Sequence, residues 1–306
     1  MTATTATQSE PRAKPPGKPH GKPRTKPGPA AGVRVRTSRL VLYAGLVVVT
    51  GLFLGPFGWL VLTGLKSPAE LAASPVHWLP DHVQWGNFAD AFRLIDFLGY
   101  ARNSLIIATI YATLVTLSSA WVGFGFARLN APGKKQLFGV LLGSMMLPQI
   151  VTLFPTYLLF AKLGMVDTYW PWVLWGLAGA PYLVFLFRQF FAGLPRELEE
   201  AAIVDGCGYA GIFWRIFLPQ SKPVLAASFV IAFTWSWGDF IAPQLLLSTD
   251  RSTLAVAVMT TYVTSAGTPV AYLQAAASVM YVVPVLLIFL VAQRGFVAGM
   301  STTGLK

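Results

Sequence analysis

Charge is scarce in this chain. Only 11% of its 306 residues are Asp, Glu, Lys or Arg, where a soluble domain carries about a quarter. Acids are the rarer sign, at 12 residues, and the shortage excludes an ordinary solvated surface. Cysteine occurs once, as Cys207, which excludes an intrachain disulfide and any multi-cysteine metal site. His20, His77 and His82 are scattered through polar stretches without metal-ligand spacing, so no metal is expected. A phosphate-binding loop needs Gly, four residues, then Gly-Lys and a hydroxyl residue. Gly21-Lys22 and Gly133-Lys134-Lys135 both lack that pattern. No nucleophile–base pair stands out either, so the chain is expected to be no enzyme, with no catalytic residues and no cofactor of its own.

What is present is apolar sequence. Apolar residues make up 55% of the chain, and mean hydropathy is +0.59. They fall in six runs, at 40–63, 104–127, 137–161, 171–191, 223–247 and 274–292. Each run suits a helix that crosses a hydrocarbon core about 30 Å thick. An all-α polytopic membrane protein is therefore expected, with six spans in a domain covering 40–306. The first run is too long for an ordinary cleavable signal core.

The formal charge is +11, but its distribution argues against nucleic acid. Nine of the 23 Lys and Arg residues precede residue 40, in a stretch rich in Pro and Gly with Glu10 as its only acid. Residues 1–39 should form a disordered basic cytoplasmic tail that touches anionic lipid at most. With the N-terminus inside, 18 Lys and Arg fall on the cytoplasmic side and five outside: Lys66, Arg93, Arg102, Lys162 and Arg251. The bias places both termini in the cytoplasm. Outside, the aromatics of 64–103 could anchor a short interfacial helix, and 254–263 could form another at the surface.

The segment at 194–220 is the most informative. Pro195 fits a first helical position, where its missing amide costs nothing. Glu197, Glu199 and Glu200 fill the first turns, where acids complement the helix dipole. Gly206 suits the left-handed residue that closes a helix. A second short helix, about 209–217, should end at Pro219. Ala201 and Ala202 leave a narrow surface that another protein could approach. By spacing alone this is a compact helical hairpin.

Glu200-Ala201-Ala202, then Gly206, then Ile216-Phe217-Leu218-Pro219 resembles the cytoplasmic loop signature of binding-protein-dependent ABC importer permeases, spacing included. Cys207 stands where that family usually has a small residue. The resemblance covers about 40–306, and the maltose-type carbohydrate-uptake branch is the nearest in pattern. Asn87-Phe88, Arg102-Asn103-Ser104 and the tail 293–301 follow that branch. Trp235-Ser236-Trp237-Gly238-Asp239-Phe240 is similar to its Trp-Asn-Asp-Phe stretch, with Gly238 replacing Asn.

The resemblance implies a type I ABC importer permease fold in the cell membrane. It implies that Glu200, Ala201, Ala202, Asp205, Gly206, Leu218 and Pro219 belong to the coupling element. The implied partners are two ATP-binding subunits carrying ATP and Mg, a homologous permease and an extracytoplasmic solute-binding protein. Alternating access to a midplane cavity is the implied mechanism. A sugar is the implied cargo. Glycerol-phosphate, polyamine or peptide import is the alternative on the same architecture. A secondary transporter would call for more intramembrane ionisable groups and no docking loop.

Asp239 is the one clear acid within a run, and Trp237, Gly238, Asp239 and Phe240 are expected near the pathway. Such an acid costs about 2.5–3.5 kcal/mol to insert, so it should face a polar cavity or a partner subunit, or else pin one helix to another. Trp170, Trp172 and Trp175 read as an interfacial belt ahead of a sugar-stacking platform. Pro148, Pro155, Pro181, Pro243 and Pro284 interrupt runs, and Gly51 and Gly55 could permit a close helix contact.

Overall fold

The computed structural model describes residue 2, residues 30–264 and residues 266–303, with side chains over 41–264 and 266–291. The tail expected at 1–39 lies outside the described residues, apart from Thr2 and the helical backbone that begins at Ala30. Contacts divide the chain into 1–54 and 55–306. In the first unit the side chains of 41–54 are exposed, and no described atom lies within 4 Å of a Cβ placed at Gly51 there or at Gly55, the first residue of the second unit.

The chain is helical, and among the described residues its only β pairing is one isolated bridge, Val263 with Pro269. Helix α1 (Ala30–Gly64) is followed by the short α2 (Pro68–Ala72) and by α3 (Gly86–Leu94). Helix α4 (Phe97–Arg128) runs 32 residues, about 48 Å at 1.5 Å per residue, and is the axis of the second unit. Helices α5 (Lys134–Ser144) and α6 (Gln149–Lys162) form a pair bent by 98°. Helices α7 (Trp170–Ala178) and α8 (Pro181–Ala192) continue one another across Gly179 and Ala180.

Next come α9 (Glu197–Val204), α10 (Tyr209–Ile212), a π-helical turn at Phe213–Phe217, and α11 (Leu218–Gln220). Helices α12 (Lys222–Trp237), α13 (Ile241–Leu246), α14 (Leu254–Thr260) and α15 (Ala271–Thr303) complete the chain. Four helical stretches of the described residues are long and apolar enough to cross a membrane: Val41–Gly64, Phe97–Arg128, Trp170–Ala192 and Ala271–Val291. Counting each bent pair as one span raises the number to six.

Three expected runs are not continuous helices, the one at 171–191 breaking at Gly179 and Ala180. Pro148 has no amide to donate and disfavours helical geometry at Leu147, so the run at 137–161 breaks between Ser144 and Gln149. The run at 223–247 breaks at 238–240, where the Asp239 carboxylate accepts the Ala242 amide at 3.2 Å and restarts the chain as α13. Pro155 and Pro284 lie inside helices, while Pro181 starts α8.

Small residues let the core close. Ala108, Ala112 and Ala120 of α4 are fully buried. At Gly123 a methyl would stand 2.7 Å from Phe187 Cβ and 3.0 Å from the Arg188 amide, so only glycine admits α8 this closely. One buried cluster gathers α3, α4, α12, α14 and α15 around Phe233, Trp237 and Tyr262. A second gathers Phe124, Phe187, Phe191, Ile212, Phe213 and Phe217 at the Arg128 end of α4. A third joins Ile107, Leu153, Phe160, Trp172 and Leu246.

Polar ties fasten the Phe97 end. Asn87 Nδ2 donates to the carbonyls of Gly64 and Lys66, each at 2.9 Å, satisfying the open end of α1. Asn103 Nδ2 donates to Asp250 O and Ser252 O at 3.2 Å, and Ser104 Oγ accepts the Leu254 amide at 2.7 Å. Tyr262 Oη donates to Ala91 O at 2.6 Å, and burial pushes its phenol up to about 12. Lys66 is buried over the Trp59 ring at 4.5 Å and donates to His77 O. Where one short helix was expected within 64–103 there are two, α2 and α3, and the one expected at 254–263 is α14.

Candidate coupling hairpin and intramembrane cavity

The hairpin begins at α9, whose first turn carries Glu197, Glu199 and Glu200. Arg196 takes the N-cap place, so Pro195 precedes the helix rather than opening it. At the other end Gly206 adopts φ +79°. Its amide donates to Ile203 O at 3.0 Å, and the Cys207 amide donates to Ala202 O at 2.9 Å. These two bonds form a Schellman closure, which requires a left-handed residue at that point.

The expected alanine surface is only half there. Ala201 is exposed, but Ala202 is buried in the aromatic cluster beneath α9. A helix must turn some side chains inward to seat itself, and residue 202 points that way. The outer face instead adds Ile203, 47% exposed, and Val204, 87% exposed, beside Glu200, Asp205 and Gly206. Composition could not separate these two from core aliphatics, because only their facing distinguishes them.

The return arm also departs from expectation. Helix does not stop before Pro219. The Leu218 amide reaches back five residues to Phe213 O, widening the turn into π-helix ahead of the proline, where an α-helix would bring the ring against a carbonyl. The arm ends at Ser221, where the chain turns 82° into α12. Leu218 is half-buried against the aromatic cluster and Pro219 is exposed.

Arg128, counted in the sequence only as an orientation charge, lies under this hairpin. Its side chain is 4% exposed, with Nη1 3.6 Å from Glu199 Oε2. Nη2 donates to Phe191 O at 2.6 Å and to Leu194 O. The guanidinium stands 4.9 Å from the Phe217 ring centroid. No sequence motif announces these contacts.

The Asp239 carboxylate caps α13 and also faces a cavity of about 690 Å³. Tyr111, Trp172, Trp175, Tyr182 and Trp235 give this cavity aromatic walls, and Ser144, Gln149, Thr152 and Ser236 supply polar groups. Among the described residues no Lys or Arg lines it. Trp170 is exposed, as a belt residue would be, whereas Trp172 is buried and Trp175 half-buried at the cavity wall. Asp239 also borders a second hollow of about 650 Å³, which Gly238 and Phe240 face with Val258, Met259 and Tyr281. Trp237 lines neither hollow: it is buried against Tyr281. Among the described residues no three His, Cys, Asp or Glu side chains cluster as a metal site would.

A helical membrane chain with this hairpin and a half-polar cavity has the outline of a transport permease. Residues 116–301 match the family described as binding-protein-dependent transport system inner membrane component, and the chain belongs to that family. It is 32% identical, over 87% of its length and 96% of the relative's, to the arabinooligosaccharides transport system permease protein AraQ of Halalkalibacterium halodurans. It is 36% identical, over 72% of its length and 76% of the relative's, to the sn-glycerol-3-phosphate transport system permease protein UgpE of Yersinia enterocolitica. Its fold matches a chain from the crystal structure of a bacterial ABC transporter that imports the acidic polysaccharide alginate, with TM-score 0.72 over 85% of this chain and 96% of that one, at 18% identity. The protein is thus an inner-membrane permease component of an ABC transport system, with an all-helical type I fold.

Proposed function

We propose that this chain is one of two homologous permease subunits of an importer that carries a neutral carbohydrate into the cytoplasm. The supporting observation is the Asp239 cavity, with aromatic walls, amide and hydroxyl groups, and no cation on its lining among the described residues. Aromatic faces stack on the apolar faces of a sugar ring, while Gln149, Thr152 and Asp239 offer partners to its hydroxyls. The relatives' names point to both neutral sugars and a phosphate ester. A glycerol-phosphate would call for Lys or Arg on the wall, so the neutral cargo is the better fit.

In this reading the chain spans the bilayer six times with both termini inside, as its Lys and Arg distribution favours. An extracytoplasmic solute-binding protein delivers the cargo to the outer mouth. Two ATPase subunits carry ATP and Mg. One docks on the exposed face of Glu200, Ala201, Asp205 and Gly206, with Ala202 seating that face and Leu218 and Pro219 bracing the return arm. ATP-driven closure of the ATPases turns the cavity outward, and hydrolysis returns it inward.

The test is uptake by the complete complex in cells lacking other importers, using labelled arabinotriose and labelled glycerol-3-phosphate as probes. Uptake of arabinotriose, lowered by Gln149→Ala and Asp239→Asn at unchanged expression, is the expected result. Uptake of glycerol-3-phosphate alone, or transport by this chain without any ATPase, would overturn the reading.

A further inference from the structure

The hairpin and the cavity lie at different depths of the same helix. Arg128 is the last residue of α4, and Tyr111 of α4 lines the Asp239 cavity. They stand 17 residues apart, about 25 Å at 1.5 Å per residue. Movement at the hairpin reaches the cavity through α4 only if the two are held together, and a helix end resting on apolar contacts could slide.

Arg128 makes that junction polar and directional. The carbonyls of Phe191, in the last turn of α8, and of Leu194, in the loop that follows, both accept from Nη2, and the Leu194 amide also reaches Phe191 O at 3.2 Å. Glu199 of α9 faces Nη1 at 3.6 Å, and Phe217 of the return arm lies under the guanidinium plane at 4.9 Å. One side chain from α4 therefore touches α8, both arms of the hairpin and the loop joining α8 to α9. Its forked, planar donors can serve several acceptors at once, which an ammonium cannot. Around it, Phe124 of α4 packs on Phe191, Phe213 and Phe217, with ring centroids 5.1–6.1 Å apart. Nε has no partner in this arrangement. A buried, incompletely satisfied arginine is poor economy for stability alone, where apolar packing serves as well or better.

We propose that Arg128 is a positioning residue that locks the coupling hairpin to α4, so that force on the hairpin moves the cavity wall as one body. The proposal rests on the importer reading for the source of that force. The lock itself is a property of this chain.

The test measures the distance distribution between spin labels at Ala210→Cys in the hairpin and Thr113→Cys on α4, both exposed positions. Cys207→Ala removes the native thiol, and the purified complex is read with and without Mg-ATP. Without the Arg128 substitutions, a single narrow distribution is expected, its mean unchanged by Mg-ATP. Arg128→Gln should broaden it about twofold, Arg128→Lys should recover part of the width by meeting Glu199 alone, and Glu199→Gln should broaden it less. Uptake per ATP hydrolysed should fall about tenfold in Arg128→Gln.

A distribution that stays narrow in Arg128→Gln, or a mean that shifts with Mg-ATP in the presence of Arg128, overturns the lock. Should Arg128→Gln not accumulate, Glu199→Gln decides, and an unbroadened distribution there overturns it equally. The importer reading fails separately, by a complex that contains no ATPase, and the distribution widths are read as before in that event.

Discussion

Tyr281 and Trp237 hydrogen-bond each other's backbone. Tyr281 Oη donates to Trp237 O at 2.8 Å, Trp237 Nε1 donates to Tyr281 O at 3.2 Å, and the rings stack with centroids 5.6 Å apart. The pair fastens the end of α12 to α15 just before the break at Asp239, so the break stays local. Tyr281→Phe keeps the stacking and leaves the Trp237 carbonyl short of a donor. It is expected to cost about 1 kcal/mol, read as a lower melting temperature of the detergent-solubilised protein.

Gly206 tests the hairpin's closure. No atom lies within 4 Å of a built Cβ there, so substitution is penalised by its φ of +79° alone. A non-glycine residue pays about 1–2 kcal/mol in that region, and a β-branched one more. Gly206→Val should therefore expose the hairpin to limited proteolysis. Gly206→Asn, which tolerates the left-handed conformation, should behave nearly as the native residue does.

Gly123 tests the packing of α4 on α8. A side chain there meets the backbone of Val184 and Arg188 at 3.0 Å as well as Phe187 Cβ, so the helices themselves must part. Gly123→Val is expected to destabilise by about 1–3 kcal/mol. Gly51→Val, at a position with nothing nearby, should leave the melting temperature within about 1 °C, as surface substitutions do.

Glu70 carries an acid-sensitive cap. Its carboxylate accepts the Ser67 amide at 2.7 Å, the Asp81 amide and the Ser67 hydroxyl at 2.8 Å. These bonds, the Ser67 amide foremost, lower its pKa from 4.5 to about 2. Because the folded value is depressed, the unfolded segment binds the proton more readily, so the cap is at full strength above pH 4.5 and is lost as pH falls through about 2. Hydrogen exchange of the Ser67 and Asp81 amides should accelerate, relative to the intrinsic rate, across that window. Glu70→Gln should remove the pH dependence.

Val204 tests the proposed docking face. At 87% exposed it contributes nothing to the core, so Val204→Asp should leave the melting temperature of the isolated chain unchanged. Loss of copurification of the ATPase, with the second permease retained, is the expected result. Full retention of the ATPase would move the docking face elsewhere.

The sequence alone determined that this is a helical membrane chain, because scarce charge and long apolar runs leave no other place for those residues. The hairpin was legible too, since Gly206 and the acids of α9 act through local backbone geometry and the helix dipole, which spacing exposes. Tertiary structure decided what local pattern could not. It turned Ala202 inward and Val204 outward, drew Trp172 into a cavity wall, and committed Trp237 to a clasp with Tyr281. It also made Arg128 a junction by bringing residues 63 and 66 positions away against it. In a membrane every run is apolar on all sides, so hydropathy marks where a helix lies but not which way it faces. Facing is set by close packing at residues such as Gly123 and by the few polar groups that must find one another.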